Sequence, residues 1–142
     1  MGQSFALAQV NVAQLKHPQG HPEVAAFFDN IDRINALADA DPGLIWRSQE
    51  DYGNEYRVFN LSVWKDFDSL SGFVYRSDHV HIMRRKQEWM TPLTTAHSAL
   101  WWIPVDHRPS AQEGIDKLAQ LDANGPSADA FTFAQRFEAP SS

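Results

Sequence analysis

The sequence predicts an α+β fold: a ferredoxin-like β-α-β-β-α-β core with an extra α-β, in one domain spanning residues 1–142 with a loose tail from about 138. Two stretches, residues 5–15 and 56–64, alternate apolar and polar side chains with the period of two that a half-buried strand requires. A third, from Val24 to Ala38, repeats its apolar residues at helical spacing. Strand and helix signals then follow one another in the order of a split βαβ unit, which lays an antiparallel sheet under helices on one face.

In FALAQVNVAQL, Phe5, Leu7, Gln9 and Asn11 share one face, and Ala6, Ala8, Val10 and Val12 share the other. The Pro- and Gly-rich KHPQGHPE is a loop, with Pro22 suited to a first helical position and Glu23 to the positive end of the helix dipole. Val24, Phe27, Phe28, Ile31, Ile34 and Ala38 form the stripe of the first helix, which Pro42 and Gly43 end. Residues 44–49, including Trp46, and residues 56–64 flank turn chemistry at 51–54 and predict an antiparallel hairpin. Phe59, Leu61 and Val63 then share one strand face; Asn60, Ser62 and Trp64 share the other.

Asp66 or Asp68 caps a second helix carrying Leu70, Phe73 and Val74. Ser77 and Asp78 interrupt it. In the segment that follows, about 100° per residue aligns His79 with Ile82, Met83, Lys86 and Met90 on an inward stripe and turns His81 outward, so this H-x-H cannot converge on one ion. Residues 98–105, SALWWIPV, predict a buried strand. Ser110 and Glu113 have the spacing of a capping box ahead of Ile115, Leu118 and Leu121, and Gly125 and Pro126 close that helix. Phe131, Phe133 and Phe137 predict a last strand.

A helix layer over the Val10, Phe59, Leu61 and Val63 face leaves the opposite face, with Gln9, Asn11, Asn60, Ser62 and Trp64, to meet something else. Bare aromatics over such an area make a large apolar patch, and two sheets paired in a symmetric homodimer would remove it.

Composition narrows the function. A net charge of −6 and a pI of about 5.4 argue against a nucleic-acid partner, and Arg84, Arg85 and Lys86 read as a solvated helix face. With no Cys, disulfides and thiol chemistry are excluded. No charged-then-apolar leader or run of about eighteen apolar residues is present, which predicts a soluble, cytoplasmic protein without a membrane partner. Five Trp in a chain that is 12% aromatic supply flat walls for a small-molecule ligand.

The candidate catalytic residues are His79, Asn60 and Asn11. His79 would move a proton near neutral pH, or bind iron through a ring nitrogen, and the two amides would anchor a substrate carbonyl. Trp64, Ser62, Gln9, Trp46, Trp101 and Met83 would contact substrate. Each has a plainer role available: His79 hydrogen-bonded to a backbone carbonyl in the core, the amides satisfied across a dimer axis, and the Trp rings filling the core. His17 and His21 lack a third metal ligand, Asp106, His107 and Asp116 are too scattered for a triad, and no nucleophile elbow or phosphate loop occurs.

ALAQVNVAQL, IDRINALADADPGLIWR, NLSVW, FVYRSDHVHIMRRKQEW, LWWIPVDHRPS and AFTF together resemble a bacterial family catalogued as domain of unknown function 3291, over nearly the whole chain. The resemblance implies the dimeric α/β-barrel superfamily, which includes antibiotic-biosynthesis monooxygenases, polyketide cyclases and haem-degrading enzymes. The resemblance implies fold and dimer but no reaction; the polar, aromatic sheet face opposite a helix-borne His79 is what suggests acid/base or monooxygenase/cyclase-type chemistry on an aromatic or polyketide-like substrate in a cavity inside each protomer. Haem-binding members take their iron ligand from the helix after the third strand, so a haem protein with His79 as axial ligand is the first alternative. A non-catalytic ligand-binding or dimerisation module is the second. No other metal or cofactor is expected.

Overall fold

Among the described residues, five antiparallel strands and three helices form one sheet with helices on both faces, in a computed structural model that describes residues 4–48, 56–76, 89–91 and 97–140, with 74–76 by backbone alone. The elements are β1 (Phe5–Leu15), α1 (Pro22–Ala40), β2 (Leu44–Arg47), β3 (Arg57–Trp64), α2 (Phe67–Arg76), β4 (Met90–Thr91), β5 (Ser98–Pro104) and α3 (Ala111–Asn124). The order confirms the α+β, ferredoxin-like arrangement. β1 is central: β3 lies along one edge, with β2 beyond it, and β5 and the short β4 share the other.

Local chemistry sets the helix ends. At the start of α1, the imidazole Nδ1 of His21 accepts from the Glu23 N–H at 3.0 Å, and Pro22 supplies the fixed φ of a first helical residue. The Asp66 carboxylate caps α2 by accepting from the Ser69 N–H at 2.7 Å, and these bonds from Ser69 hold its pKa below the usual carboxylate value. Asp66→Ala should therefore cost about 1 kcal/mol of stability. Because the folded pKa lies below the unfolded one, near 3.9, the cap is at full strength above that pH and fades as pH falls through the folded value. Urea titrations of parent and variant should thus differ at pH 7 and converge under strong acid. α3 ends at Gly125, whose φ of 75° suits glycine. Where β2 enters from α1, a Cβ on Gly43 would lie 2.5 Å from the Ser69 Cβ, so the chain passes α2 at a distance open to glycine alone.

The expected helix layer on the Val10 face is supplied by α3, whereas α1 and α2 take the opposite face. Ala6, Ala8, Val10, Val12, Leu61, Val63, Ala99, Trp101 and Ile103 form one core with Leu118 and Leu121 of α3. The opposite, front face carries α1 and α2: Leu7, Trp64, Leu100 and Phe131 pack with Ala38 and Leu70, while Leu15 packs with Val24, Phe27, Ile34 and Trp89. Alternation separates the two faces of a strand but does not say which one a helix takes. Here the front face is polar only at its middle, and its apolar ends receive α1 and α2. α1 and α2 thus cover the ends of the face that the expected symmetric pair was to bury.

Two segments differ from expectation. Met90 and Thr91 pair with Leu15 and Gln14, in a stretch where helical spacing had been extended to Met90. Of the predicted last strand only one bridge forms, Phe131 with Leu100. Among the described residues no helix is long and apolar enough to cross a membrane.

Candidate functional site: an amide strip between sheet and helices

β1 and β3 pair in a register that sets Gln9 opposite Ser62 and Asn11 opposite Asn60, so all four side chains fall on the front face at its centre. They form a chain of hydrogen bonds. The Gln9 Nε2 donates to Asn60 Oδ1 and, at 2.8 Å, to Ser62 Oγ; the Trp64 indole Nε1–H donates to the same Ser62 Oγ at 2.8 Å. Ser62 is only 4% exposed, and its oxygen already accepts twice, so its own hydroxyl proton is left to donate. The Gln9 Oε1 and Asn60 Nδ2 have no partner among the described residues, nor does the Asn11 amide.

Exposure along β1 shows that the strip is not packed solid. Leu7 and Leu15 are 0% and 2% exposed, yet Gln9, Asn11 and Ala13 between them are only half-buried although they lie on the central strand. The two apolar clusters under α1 and α2 thus leave a gap over the strip. On its β2 side, Arg47 pairs in register with Ser62 and binds Asp39 of α1 through both carboxylate oxygens, at 3.1 and 2.9 Å. That bond from Arg47 lowers the Asp39 pKa. The pair is mutually neutralised, so among the described residues the site offers donors and acceptors without net charge.

The expected residues therefore divide. Gln9, Asn11, Asn60, Ser62 and Trp64 come together. His79 and Met83 lie outside the described residues, as do Arg84 and Arg85, and with them the haem expectation. Trp46 and Trp101 are not walls of this strip: both belong to the core under α3. Trp102 packs against the cluster of Trp64 and Leu7 on the front. Arg47 and Asp39 were missed. A β-bulge between Leu44 and Trp46 sets Ile45 and Trp46 together on the α3 side and returns Arg47 to the front, and no residue in LIWR announces it.

Two other clusters are structural. A groove of about 690 Å³ runs between β5 and α3, lined by residues including Trp102, His107, Glu113, Asp116 and Lys117, and contains no residue of the strip. Within it Glu113 does only half of its capping-box work. Its N–H bonds Ser110 Oγ at 3.2 Å, but its carboxylate accepts from the buried Trp101 indole N–H at 2.9 Å and contacts His107 Nε2 at 2.7 Å. Glu113→Ala should cost about 1–3 kcal/mol by stranding that indole donor, and Glu113→Gln, which keeps an acceptor, distinctly less; thermal unfolding of the two variants checks this. The His17 and His21 rings stack at 4.4 Å and 15°, so their in-plane lone pairs run parallel rather than toward one ion. Among the described residues no group of three or more His, Cys, Asp or Glu could hold a metal.

Residues 6–142 match the family described as Domain of unknown function (DUF3291). No curated protein is significantly similar to the chain. Solved structures share its fold at low identity. A protein of unknown function from Nitrosomonas europaea, NE2512, is 14% identical with a TM-score of 0.53, covering 77% of this chain and 97% of its own. PA3566 from Pseudomonas aeruginosa is 11% identical with a TM-score of 0.54, covering 78% and 100%. SnoaB from Streptomyces nogalater, a cofactor-independent oxygenase, is 15% identical with a TM-score of 0.50, covering 76% and 98%.

Proposed function

We propose that this chain, which belongs to the family described as Domain of unknown function (DUF3291), is a small-molecule enzyme of the oxygenase or cyclase type whose ligand lies on the amide strip. The supporting observation is the half-open centre of β1: half-buried amides with unused donors and acceptors beside the buried Ser62, held in place by their neighbours. Such a surface suits a neutral planar molecule carrying a hydroxyl beside a carbonyl, which can accept from Ser62 and Asn60 and donate to Gln9. Trp64, its indole fixed by Ser62, stands at one end of the strip. The likeness to SnoaB is one of fold, and it makes oxygen insertion the chemistry to test first. His79 is the proposed acid-base group.

Juglone is a suitable probe, being neutral and planar, and the absence of Cys removes its usual thiol target. It should bind saturably and quench Trp fluorescence. The dihydroxynaphthalene from which juglone forms is the matching oxidisable probe. One atom of O2 would enter the ring and the other would leave as water. Wild type should accelerate oxygen uptake and His79→Ala should not, with juglone affinity retained. Absence of saturable binding would remove the strip as a ligand site, and equal oxygen uptake by wild type and His79→Ala would remove the proposed role of His79.

A further inference from the structure

The chain after α3 returns to the outer edge of the sheet. Ala130 is fully buried in the core under α3 and the next residue, Phe131, is fully buried in the front cluster, the alternation of neighbours in extended chain, so this segment runs along the β5 edge with a side chain in each core. It is fastened there by the reciprocal bonds of Phe131 with Leu100, both 2.8 Å, and by the Trp102 indole donating to the Phe137 carbonyl at 2.8 Å. Between these two attachments it reaches α2. The Phe133 ring lies 5.4 Å from that of Phe67, the first residue of α2, and the Arg136 guanidinium carbon lies 4.4 Å from the centre of the same ring. Residues 131–137 therefore form a strap that leaves β5 at Phe131, reaches α2 through Phe133 and Arg136, and returns to β5 at Phe137.

Leu100 is the register partner of Gln9. The strap thus lies beside the amide strip on its β5 side, opposite the Arg47–Asp39 pair that closes the β2 side. Its attachment is thin. β1 and β5 pair over seven residues, while the strap joins β5 by one backbone bridge and the Trp102–Phe137 bond, and Ala134, Gln135 and Arg136 are exposed. Segments held by few backbone bonds and a small buried surface open at lower free energy than the sheet beneath them.

We infer that residues 131–137 form the gate of the front cleft, with Phe67 gripped between Phe133 and Arg136 as its latch, and that the strap selects ligands by the width it leaves over Leu100. This rests on the reading of the amide strip as the ligand site. Flat two-ring molecules pass when the latch releases, and bulkier non-planar ones of the same polarity are excluded.

The test uses the full chain, wild type and the double variant Phe133→Ala/Arg136→Ala, which leaves the buried Phe131 in place. Hydrogen exchange should show the Phe131 and Leu100 amides opening ahead of those in the β1–β3 ladder, and the double variant should speed their exchange roughly tenfold, the combined worth of one ring pair and one cation–π contact, without moving the ladder. Stopped-flow quenching by juglone should show both association and dissociation faster in the double variant, with Kd little changed. Phe131 and Leu100 amides that exchange only with the whole sheet would make the strap a fixed part of the core and overturn the gate. So would juglone rates identical in the two proteins, with the ligand site left standing. No binding of juglone to wild type would overturn the ligand site, and the gate with it.

Discussion

Gly114→Leu should lower stability by about 3 kcal/mol or more, the upper range for overpacking a filled core. α3 lies so close to the sheet that a Cβ at position 114 would sit 3.0 Å from Val10 Cγ2, 3.3 Å from Val10 Cβ and 3.7 Å from Leu61 Cδ1. Val10 and Leu61 are 0% and 1% exposed and have nowhere to go. The three further carbons of leucine would meet the same side chains, and the helix would have to lift, uncovering Leu118 and Leu121. Gly114→Ala differs in kind: the contact needs only a few tenths of an ångström of adjustment, and alanine gains up to about 1 kcal/mol in helix propensity. Urea midpoints at constant m-value separate the two. A leucine variant within about 0.5 kcal/mol of the parent, inside the range of ordinary surface changes, would show that α3 does not seal this face.

Gln9→Leu should separate folding from binding. Leucine at position 9 would lie between Leu7 and the cross-strand Leu100, so the fold should tolerate it. The strip should not. Gln9 donates to both Asn60 and Ser62, and without it those groups lose the bonds that orient them. Losing one or two such bonds to a ligand amounts to about 1–3 kcal/mol, so juglone should bind roughly tenfold to a hundredfold more weakly. Unchanged affinity in a folded Gln9→Leu protein would mean that the ligand is held elsewhere.

The parts of the fold that were legible depend on local pattern. The alternation in residues 5–15, the stripe from Val24 to Ala38, the Asp66 cap and the Ser110 start of α3 are each written in neighbouring residues, and β1, α1, α2 and α3 formed accordingly. The amide strip was legible for the same reason: once β1 and β3 pair, Gln9, Asn11, Asn60 and Ser62 must share a face. What failed depends on long-range choice. Trp101 is held in the α3 core because Glu113, twelve residues away, satisfies its indole. Arg47 reached the strip through a bulge that depends on backbone conformation, not side-chain type. Phe131 and Phe133 have strand spacing, but after Phe131 the chain leaves β5 for Phe67, and ring packing replaces a ladder.

The central claim is that a neutral ligand takes up the unused hydrogen-bonding capacity of the strip. The side-chain amide groups of Gln9, Asn11 and Asn60 can be followed individually by nitrogen-15 NMR while juglone is added. Their resonances should shift saturably and together, with the Trp64 indole signal, while those of Gln112 and Gln120 in the groove behind the sheet stay in place. Shifts confined to Gln112, Gln120 and the Trp101 indole, with the strip unmoved, would place the ligand on the other side of the sheet and contradict the account.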